Sequence, residues 1–359
     1  MKFIHIADMH FDTPFMLLNS KGDFGKIRRM YQREILKKII NYIKENNIEY
    51  LFIAGDFYEH NYIRQSTIEY INDLFKQIPK TKIFITPGNH DPYVVNSMYR
   101  NFTWNNNVKI FTSKIEKVET DEANIYGVGF EDFYCEKSDI ENIILEDKSK
   151  INVLIAHGSL NASDKAQLQY NPINKSKLEK VGFDYVALGH IHKPDYNTEN
   201  NQKIIYPGST IAMGFDELGK HGFIVGSIEK DKLEIAFIPV DKREFKEMEV
   251  NITEINDEDE LLEKINNIYL EEDNLYKIIL IGERNFEINI NNLYKFINKE
   301  NIIKIKNKTR LNYNLEKMVN DNTLKGIFIN EIKEELTKNN YTKEELDKIL
   351  EIGLSILEN

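Results

Sequence analysis

Five short apolar runs in the first part of the chain each end in a polar segment that contains Asp, Asn or His. Helical periodicity appears between the runs, at residues 26–44 and at residues 66–77, where Ser66 is the expected N-cap. In α/β proteins the carboxyl ends of strands meet at one edge of the sheet, and ligands bind there. We therefore predict an α/β fold, a sheet or two packed sheets with helices outside, that carries one polar site.

The five segments supply carboxylate, amide and imidazole groups at short spacings. Asp8 and His10 are two residues apart, so in extended backbone both side chains point to the same side, and His190 and His192 repeat this spacing. Glycines flank the segments and allow tight turns or a close approach of the backbone. The other three segments contribute Asp56, then Asn89, His90 and Asp91, and then His157.

This set of donors favours a metal site. Oxygen and imidazole ligands together suit Mn, Fe, Zn or Ni better than Ca or Mg alone. There are more donors than one four-coordinate ion uses, which indicates two ions. Two ions about 3.5–4 Å apart can activate a water molecule and neutralise a phosphoryl group. Each segment taken singly could be an ordinary turn after a strand, but all five in this order favour the site.

Composition excludes several classes of protein. The single cysteine, Cys135, rules out an intramolecular disulfide framework and a Cys-rich zinc site. The N-terminus does not have the pattern of a signal peptide and no apolar run is long enough to cross a membrane, so we expect a cytoplasmic protein. The net charge of −11 disfavours a generally cationic nucleic-acid binder. Residues 241–359 carry −8 of that charge, and all eight histidines precede residue 222.

The pattern of elements predicts three parts. Residues 1–240 form the part that bears the site, residues 241–315 a small α/β domain, and residues 316–359 a C-terminal helical segment. The last helix should begin with a capping box, because Thr342 precedes Glu345 by three residues. The apolar stripes of the final helices either pack on their own domain or dock on a partner.

The five segments together resemble the motifs of the calcineurin-like metallophosphoesterase superfamily, D-x-H, G-D, G-N-H-D/E, H and G-H-x-H. More closely, the chain resembles the SbcD-type DNA repair exonucleases, in particular the YhaO-like branch, at residues 54–59 (AGDFYE), 188–194 (LGHIHKP) and 206–209 (YPGS). The resemblance covers residues 1–240. It implies a two-sheet metallophosphoesterase sandwich flanked by helices, followed by a small capping domain over residues 241–315 and a segment that docks an ATPase.

The resemblance also assigns roles. Two divalent metal ions, expected to be Mn²⁺ with Fe, Zn or Ni as alternatives, would activate a hydroxide that attacks a DNA phosphodiester. His90 would stabilise the transition state and help to protonate the leaving oxygen, and Asp91 would orient its neighbours. The first ion would be bound by Asp8, His10, Asp56 and His192, and the second by Asp56, Asn89, His157 and His190, with Asp56 bridging.

Contacts with substrate are predicted from basic and aromatic residues near the first and third segments, namely Arg28, Arg29 and Tyr93. For the arginines the alternative is a solvated helix face. A second basic run, at residues 299–310, is either a nucleic-acid contact or an exposed strand edge guarded by lysines. Some relatives carry histidine three residues after the bridging aspartate. Here Glu59 has that position, and His60 follows with no catalytic role expected. His5, His221 and Cys135 are expected to be structural or ordinary residues.

The expected partners are DNA, a second copy of the chain, and a separate SbcC-like, SMC-type ATPase, because the chain has no Walker-type phosphate loop of its own. No membrane partner is expected. Two other functions are compatible with the pattern. One is a phosphatase, or a nucleotide or cyclic-nucleotide phosphodiesterase, that uses the same dimetal site. The other is a DNA-end-binding scaffold with little catalysis.

Overall fold

A computed structural model describes residues 1–15, 23–161, 170–199, 202–229, 232–311, 323–338 and 340–357. The chain divides into two compact units, Met1–Phe245 and Lys246–Asn359. The predicted boundaries at residues 240 and 315 stay predictions. Among the described helices, none combines the length and the apolar character that a membrane span needs.

The described residues of the first unit form thirteen strands. They are β1 (Lys2–Ile6), β2 (Tyr50–Ala54), β3 (Lys82–Thr86), β4 (Val108–Ile110), β5 (Glu116–Glu119), β6 (Ala123–Val128), β7 (Ile151–His157), β8 (Ser159–Leu160), β9 (Pro172–Ile173), β10 (Tyr185–Gly189), β11 (Ile204–Ile205), β12 (Gly222–Glu229) and β13 (Lys232–Pro239). Its described helices are α1 (Phe24–Asn46), α2 (Gln65–Lys76), α3 (Met98–Asn101) and α4 (Lys175–Val181), with a 3₁₀ turn at Ile140–Asn142.

Two sheets form the centre of this unit. One has the order β13-β12-β1-β2-β3-β4 and the other the order β11-β10-β7-β6-β5. Within the first sheet β1 to β4 are mutually parallel, so the carboxyl ends of β1, β2 and β3 lie along one edge. In the second, β7 and β10 are also parallel. The predicted two-sheet α/β sandwich is confirmed.

Apolar side chains fill three layers of this sandwich. Phe3, Phe52 and Phe84 of the first sheet pack with Ile125 and Val153 of the second in the layer between the sheets. A second layer joins the first sheet to α1 and α2, and a third joins the second sheet to α4. Strands that are buried on both faces are continuous apolar runs, and for this reason they can be predicted from the sequence.

The start of α2 differs from the prediction. The helix begins at Gln65, with Arg64 as its N-cap, so the assignment of Ser66 as the cap is wrong. A carboxylate from a distant segment stabilises this end, because Asp12 accepts hydrogen bonds from the Arg64 amide at 3.1 Å and from the Thr67 hydroxyl at 2.6 Å. A local capping rule cannot detect a partner so far away in the chain.

The second unit contains a three-stranded sheet with the order β14-β15-β17 and a separate pair of described helices. Its strands are β14 (Phe245–Asn251), β15 (Leu275–Ile281), β16 (Glu283–Arg284), β17 (Ile302–Asn307) and β18 (Arg310–Leu311), and its helices are α5 (Glu258–Asn267), α6 (Ile290–Phe296), α7 (Leu324–Lys338) and α8 (Lys343–Leu357). The linker predicted at residues 313–322 lies outside the described residues.

Two predictions for this unit are confirmed. β17 is an edge strand of the described sheet and exposes Lys304 and Lys306, so the basic run includes a lysine-guarded strand edge. Thr342 and Glu345 form the capping box before α8, with the Thr342 amide 2.8 Å from the Glu345 carboxylate and the Glu345 amide 3.3 Å from the Thr342 hydroxyl.

Arg28 has a structural role. Its side chain is fully buried, and its guanidinium donates to both carboxylate oxygens of Asp241, at 3.1 and 2.8 Å. It also donates to the carbonyl of Ala212. The prediction that Arg28 contacts substrate is therefore wrong, because the pattern of charges along α1 did not reveal which arginine points inward.

Truncation of Arg28 should destabilise the first unit strongly. Arg28→Ala leaves the buried Asp241 carboxylate without its cation, which typically costs about 3–5 kcal/mol. Arg29→Ala, at the half-buried neighbouring position, is the matched control and should cost less than about 1 kcal/mol. Urea unfolding followed by circular dichroism measures both. Equal midpoints for the two variants would contradict this role.

Candidate metal centre

The five polar segments meet at one edge of the sandwich. The loops after β1 and β2 are joined by backbone hydrogen bonds from the Asp8 amide to the Gly55 carbonyl at 3.1 Å and from the His10 amide to the Asp56 carbonyl at 2.9 Å. Asp8, His10, Asp56 and His190 all have positive φ angles, of 51°, 46°, 50° and 104°. Such conformations are costly for non-glycine residues and are concentrated at functional sites.

Glycine is required at two of the strand ends. A Cβ atom at Gly55, whose φ is 81°, would collide with the imidazole of His157. A Cβ atom at Gly189 would collide with the carbonyl oxygen of Ala54. The missing side chains let the ends of β2, β7 and β10 approach closely, so the two sheets bring their polar segments together.

One group of donors consists of Asp8, His10 and His192, with one ligand atom of each within 4.8 Å of the others. The Nδ1 atoms of both histidines contact carboxylates, His10 with Glu59 at 2.7 Å and His192 with Glu217 at 2.6 Å. A neutral histidine that donates from Nδ1 has a lone pair on Nε2. The two Nε2 atoms face each other at 3.2 Å, and a shared cation would satisfy both lone pairs.

A second group consists of Asp56, His157 and His190, again within 4.8 Å. His157 Nδ1 lies 2.9 Å from the carbonyl oxygen of Ala54 and donates to it. Its Nε2 atom lies 3.2 Å from Asp56 Oδ2 and 3.0 Å from Asn89 Oδ1. Oxygen and nitrogen acceptors therefore converge here as well. The donor chemistry of both groups fits divalent cations.

The electrostatics of the cluster also favour positive charge. Burial alone would lower the pKa of His157, but Asp56 and Asp8 raise it to about 9. Burial opposes ionisation of Asp56 too, yet His157 and His10 hold the pKa of that carboxyl far below its usual value. In contrast, burial and the neighbouring His157 lower the pKa of His190 to about 4, which keeps its imidazole neutral and able to ligate.

His90 lies at the open side of the cluster. Its side chain is 46% exposed, and its Nδ1 atom is 3.0 Å from Glu59 Oε2. Burial lowers the pKa of His90, but Glu59 and Asp56 outweigh that effect and raise it to about 9. Glu59 therefore links His10 to His90. The sequence showed Glu59 only as a departure from some relatives, so this role was missed.

Asp91 lies behind the cluster, as expected. Its carboxylate accepts hydrogen bonds from the amides of Asp56 at 3.0 Å, Phe57 at 2.6 Å and Gly88 at 2.6 Å, and from the hydroxyl of Tyr99 at 2.6 Å. These bonds join the loop that carries Asp56 to the loop that carries Asn89. The fully buried Asp91 thus orients its neighbours.

Glu217 is a second carboxylate that sequence reasoning missed. Besides contacting His192, it accepts a hydrogen bond from the Ser209 hydroxyl at 3.1 Å, and that hydroxyl lies 2.8 Å from His221 Nδ1. His221 is therefore buried in a network that supports His192. Glu217 follows His192 by 25 positions and no motif surrounds it, so the sequence carried no signal of this role.

The remaining predicted residues lie outside this cluster. Arg29 is half-buried and donates to the Pro14 carbonyl at 3.3 Å. Tyr93 is also half-buried, and the guanidinium carbon of Arg100 lies over its ring, 5.3 Å from the ring centroid. Their contacts with substrate stay predictions. His5 is fully buried against Tyr185, and the ring of His60 packs against Phe133, so neither is among the metal-ligand groups.

Residues 1–194 match the calcineurin-like phosphoesterase family. The chain is 25% identical over 264 residues to the uncharacterized metallophosphoesterase YhaO of Bacillus subtilis, a match that spans 71% of this chain and 64% of the Bacillus protein. It is 27% identical over 287 residues to the SbcD component of nuclease SbcCD from Staphylococcus epidermidis, a match that spans 70% of this chain and 72% of that protein.

Two solved structures match part of this chain at low similarity. A dimetal phosphatase from Danio rerio matches at 9% identity and a TM-score of 0.39, over 66% of this chain and 95% of its own. Vacuolar protein sorting 29 from Cryptosporidium parvum matches at 15% identity and a TM-score of 0.29, over 66% and 95%. At these scores the likeness adds nothing to the fold described above.

Removal of the Glu217 carboxylate charge should weaken metal binding. Glu217→Gln keeps the size of the side chain but no longer holds His192 with an ionised acceptor, and such changes typically cost about 10–100-fold in metal affinity. Titration calorimetry with Mn²⁺ measures the loss. Asp216→Asn, which changes the adjacent carboxylate, is the matched control and should bind as the wild type does. Equal affinities for all three proteins would contradict the orienting role.

Proposed function

The chain belongs to the calcineurin-like phosphoesterase family, and from this premise we propose that it is a DNA nuclease that hydrolyses phosphodiester bonds with two divalent metal ions. The family and the donor groups support the coarser statement, that the chain is a metal-dependent phosphoester hydrolase. Manganese is the proposed metal. The choice of DNA as substrate is the finer part of the proposal.

The observation that carries the proposal is the position of His90 beside two adjacent donor groups. One ligand atom from each of His10, Asp56 and His90 lies within 4.8 Å of the others, so His90 is next to both groups. Its exposed side chain can reach a substrate, whereas Asp8 and Asp56 are buried. A phosphate at this edge would contact the ions on one side and His90 on the other.

The proposed roles follow from these positions. Two divalent cations, when bound, would neutralise charge on the phosphodiester and lower the pKa of a water molecule. The first would be held by Asp8, His10, Asp56 and His192, and the second by Asp56, Asn89, His157 and His190. His90, held at Nδ1 by Glu59, presents Nε2 to the substrate. The hydrogen bond to Glu59 favours the protonated imidazole, which can donate its proton to the leaving oxygen.

The likeness to the SbcD component of the Staphylococcus nuclease supports DNA as the substrate and a separate SbcC-like, SMC-type ATPase as the partner. The C-terminal helices are the proposed docking element for that ATPase. They pair through Ile329, Ile332, Leu346 and Leu350, while Ile327 and Ile356 are 64% and 68% exposed. A homodimer is proposed on the same resemblance, and a cytoplasmic location is proposed because the single cysteine fits a reducing compartment.

The purified chain should cleave linear DNA in the presence of Mn²⁺, and His90→Ala should slow cleavage about 10²–10⁴-fold, the usual contribution of a general acid. His90→Ala should still bind manganese, because His90 is not among its proposed ligands. Asp56→Ala should lose both binding and cleavage. Gel assays of a radiolabelled duplex and metal analysis of the same samples measure the two properties.

Asp73→Ala is the matched control, since the Asp73 carboxylate is 67% exposed on α2 and outside the cluster, and it should cleave as the wild type does. Equal cleavage by wild type and His90→Ala would contradict the role of His90. Hydrolysis of p-nitrophenyl phosphate without any cleavage of DNA would instead favour a phosphatase. Absence of manganese from the wild type under saturating conditions would favour a scaffold with little catalysis.

A further inference from the structure

An open cavity of about 650 Å³ lies beside the metal centre, within the size range of small-molecule sites. Two residues of its lining touch the ligand His157. The ring of Phe130 packs edge-on against the His157 ring, with centroids 5.6 Å apart, and Asn171 donates from its side chain to the His157 carbonyl at 2.8 Å. Phe130 and Asn171 thus connect the cavity to the second group of donors, of which His157 is a member.

Exposed aromatic rings lie at this cavity. Tyr134 lines it and is 48% exposed, and its neighbour in the chain, Phe133, is 40% exposed. Phe133 packs against the ring of His60, with centroids 5.6 Å apart, and the His60 amide donates to the His90 carbonyl at 2.9 Å. The aromatic pair is therefore attached to the loop that bears the proposed acid, and Tyr134 is its member that lines the cavity.

The charged residues that line the cavity favour a neutral ligand over a second phosphate group. Its lining has one more carboxylate than ammonium groups, so an additional phosphate is disfavoured there. Hydrogen-bond acceptors and donors beside an aromatic face instead suit a neutral, planar ring that carries N–H groups. The charged residues of the lining are Lys114, Lys137, Glu131, Asp132 and Asp139.

We propose that this cavity binds a nucleobase. The base of a nucleotide whose phosphate lies at the metal centre would stack on Tyr134, and its amino groups would donate to the carboxylates of the lining. The inference rests on the proposed function, because it takes the ligand to be a nucleotide. It adds that the enzyme holds an unpaired base, so a single strand or a frayed end is the preferred form of the substrate.

Cys135 provides a direct test, because it is the chain's single cysteine and it lines this cavity. Its half-buried thiol donates to the Lys137 carbonyl at 3.3 Å. In His90→Ala with Mn²⁺ bound, where cleavage is slow, alkylation by iodoacetamide should slow at least about fivefold when a single-stranded oligonucleotide is added at several times its Kd, because a bound base covers the thiol. An oligonucleotide of the same length that carries only abasic residues should not protect the thiol.

Mononucleotides test whether a free nucleotide can supply the base or whether a nucleic-acid strand is required. Protection by adenosine monophosphate but not by ribose 5-phosphate would show that the base alone suffices, as a free nucleotide or within a strand. Protection by the oligonucleotide only would show that a strand is needed. Both results support the nucleobase site. Equal protection by base-bearing and abasic oligonucleotides, or protection by none of them, would overturn it.

Variants locate the contact. Tyr134→Ala should remove most of the protection and raise the KM for cleavage of single-stranded DNA at least about fivefold with little change in kcat, and Tyr134→Phe should restore both. Tyr269→Ala is the control, because Tyr269 is 85% exposed and does not line the cavity. An unchanged KM in Tyr134→Ala would contradict the stacking role.

The outcome is separable from that of the proposed function, because thiol protection requires no catalysis. If bases protect Cys135 while DNA stays intact, the nucleobase site stands and the nuclease proposal fails. If Mn²⁺-dependent cleavage occurs but base-bearing and abasic strands behave alike, the nuclease proposal stands and the nucleobase site fails.

Discussion

The hydrogen bond from His157 to the Ala54 carbonyl joins the two sheets at the edge where the polar segments meet. His157 ends β7 of one sheet and Ala54 ends β2 of the other. Because Nδ1 is engaged in this bond, Nε2 is the atom that faces Asp56 and Asn89. The contact that joins the sheets therefore also sets the tautomer of a proposed metal ligand, and it depends on the absence of a side chain at Gly55.

This arrangement opposes folding in several ways. It buries two carboxylates, Asp8 and Asp56, close to several imidazoles, and it holds the backbone of both acids in the left-handed region. The aromatic and aliphatic layer between the sheets offsets these costs, because its side chains are almost fully removed from water. Stability is thus concentrated in the layers of the sandwich, and unfavourable local conformations are confined to the edge where ligands and substrate would bind.

Carboxylates behind the histidines complete the site. Glu59 and Glu217 each hold the Nδ1 atom of a proposed ligand, and Glu59 also holds His90. A single side chain thus connects the geometry of one proposed metal site to the orientation and the raised pKa of the proposed acid. Asp91 fixes the backbone of the site, since its carboxylate accepts hydrogen bonds from amides in the loops after β2 and β3. These three acids hold the donors of the cluster in place through hydrogen bonds within the protein itself.

The sequence by itself determined the strands that are buried on both faces, the order of the polar segments and the donor types, because such strands are continuous apolar runs and the segments directly follow them. Short or half-exposed strands such as β5 and β8 were not predicted. The sequence also determined the capping box at Thr342, whose partners are three residues apart. Only the tertiary structure decided that Arg28 pairs with Asp241, that Asp12 supports the start of α2, that Glu217 holds His192, and that an aromatic cavity adjoins the site. Each of these features depends on contacts between segments that are far apart in the sequence and come together only in the folded chain. The linear pattern of residues does not show such contacts.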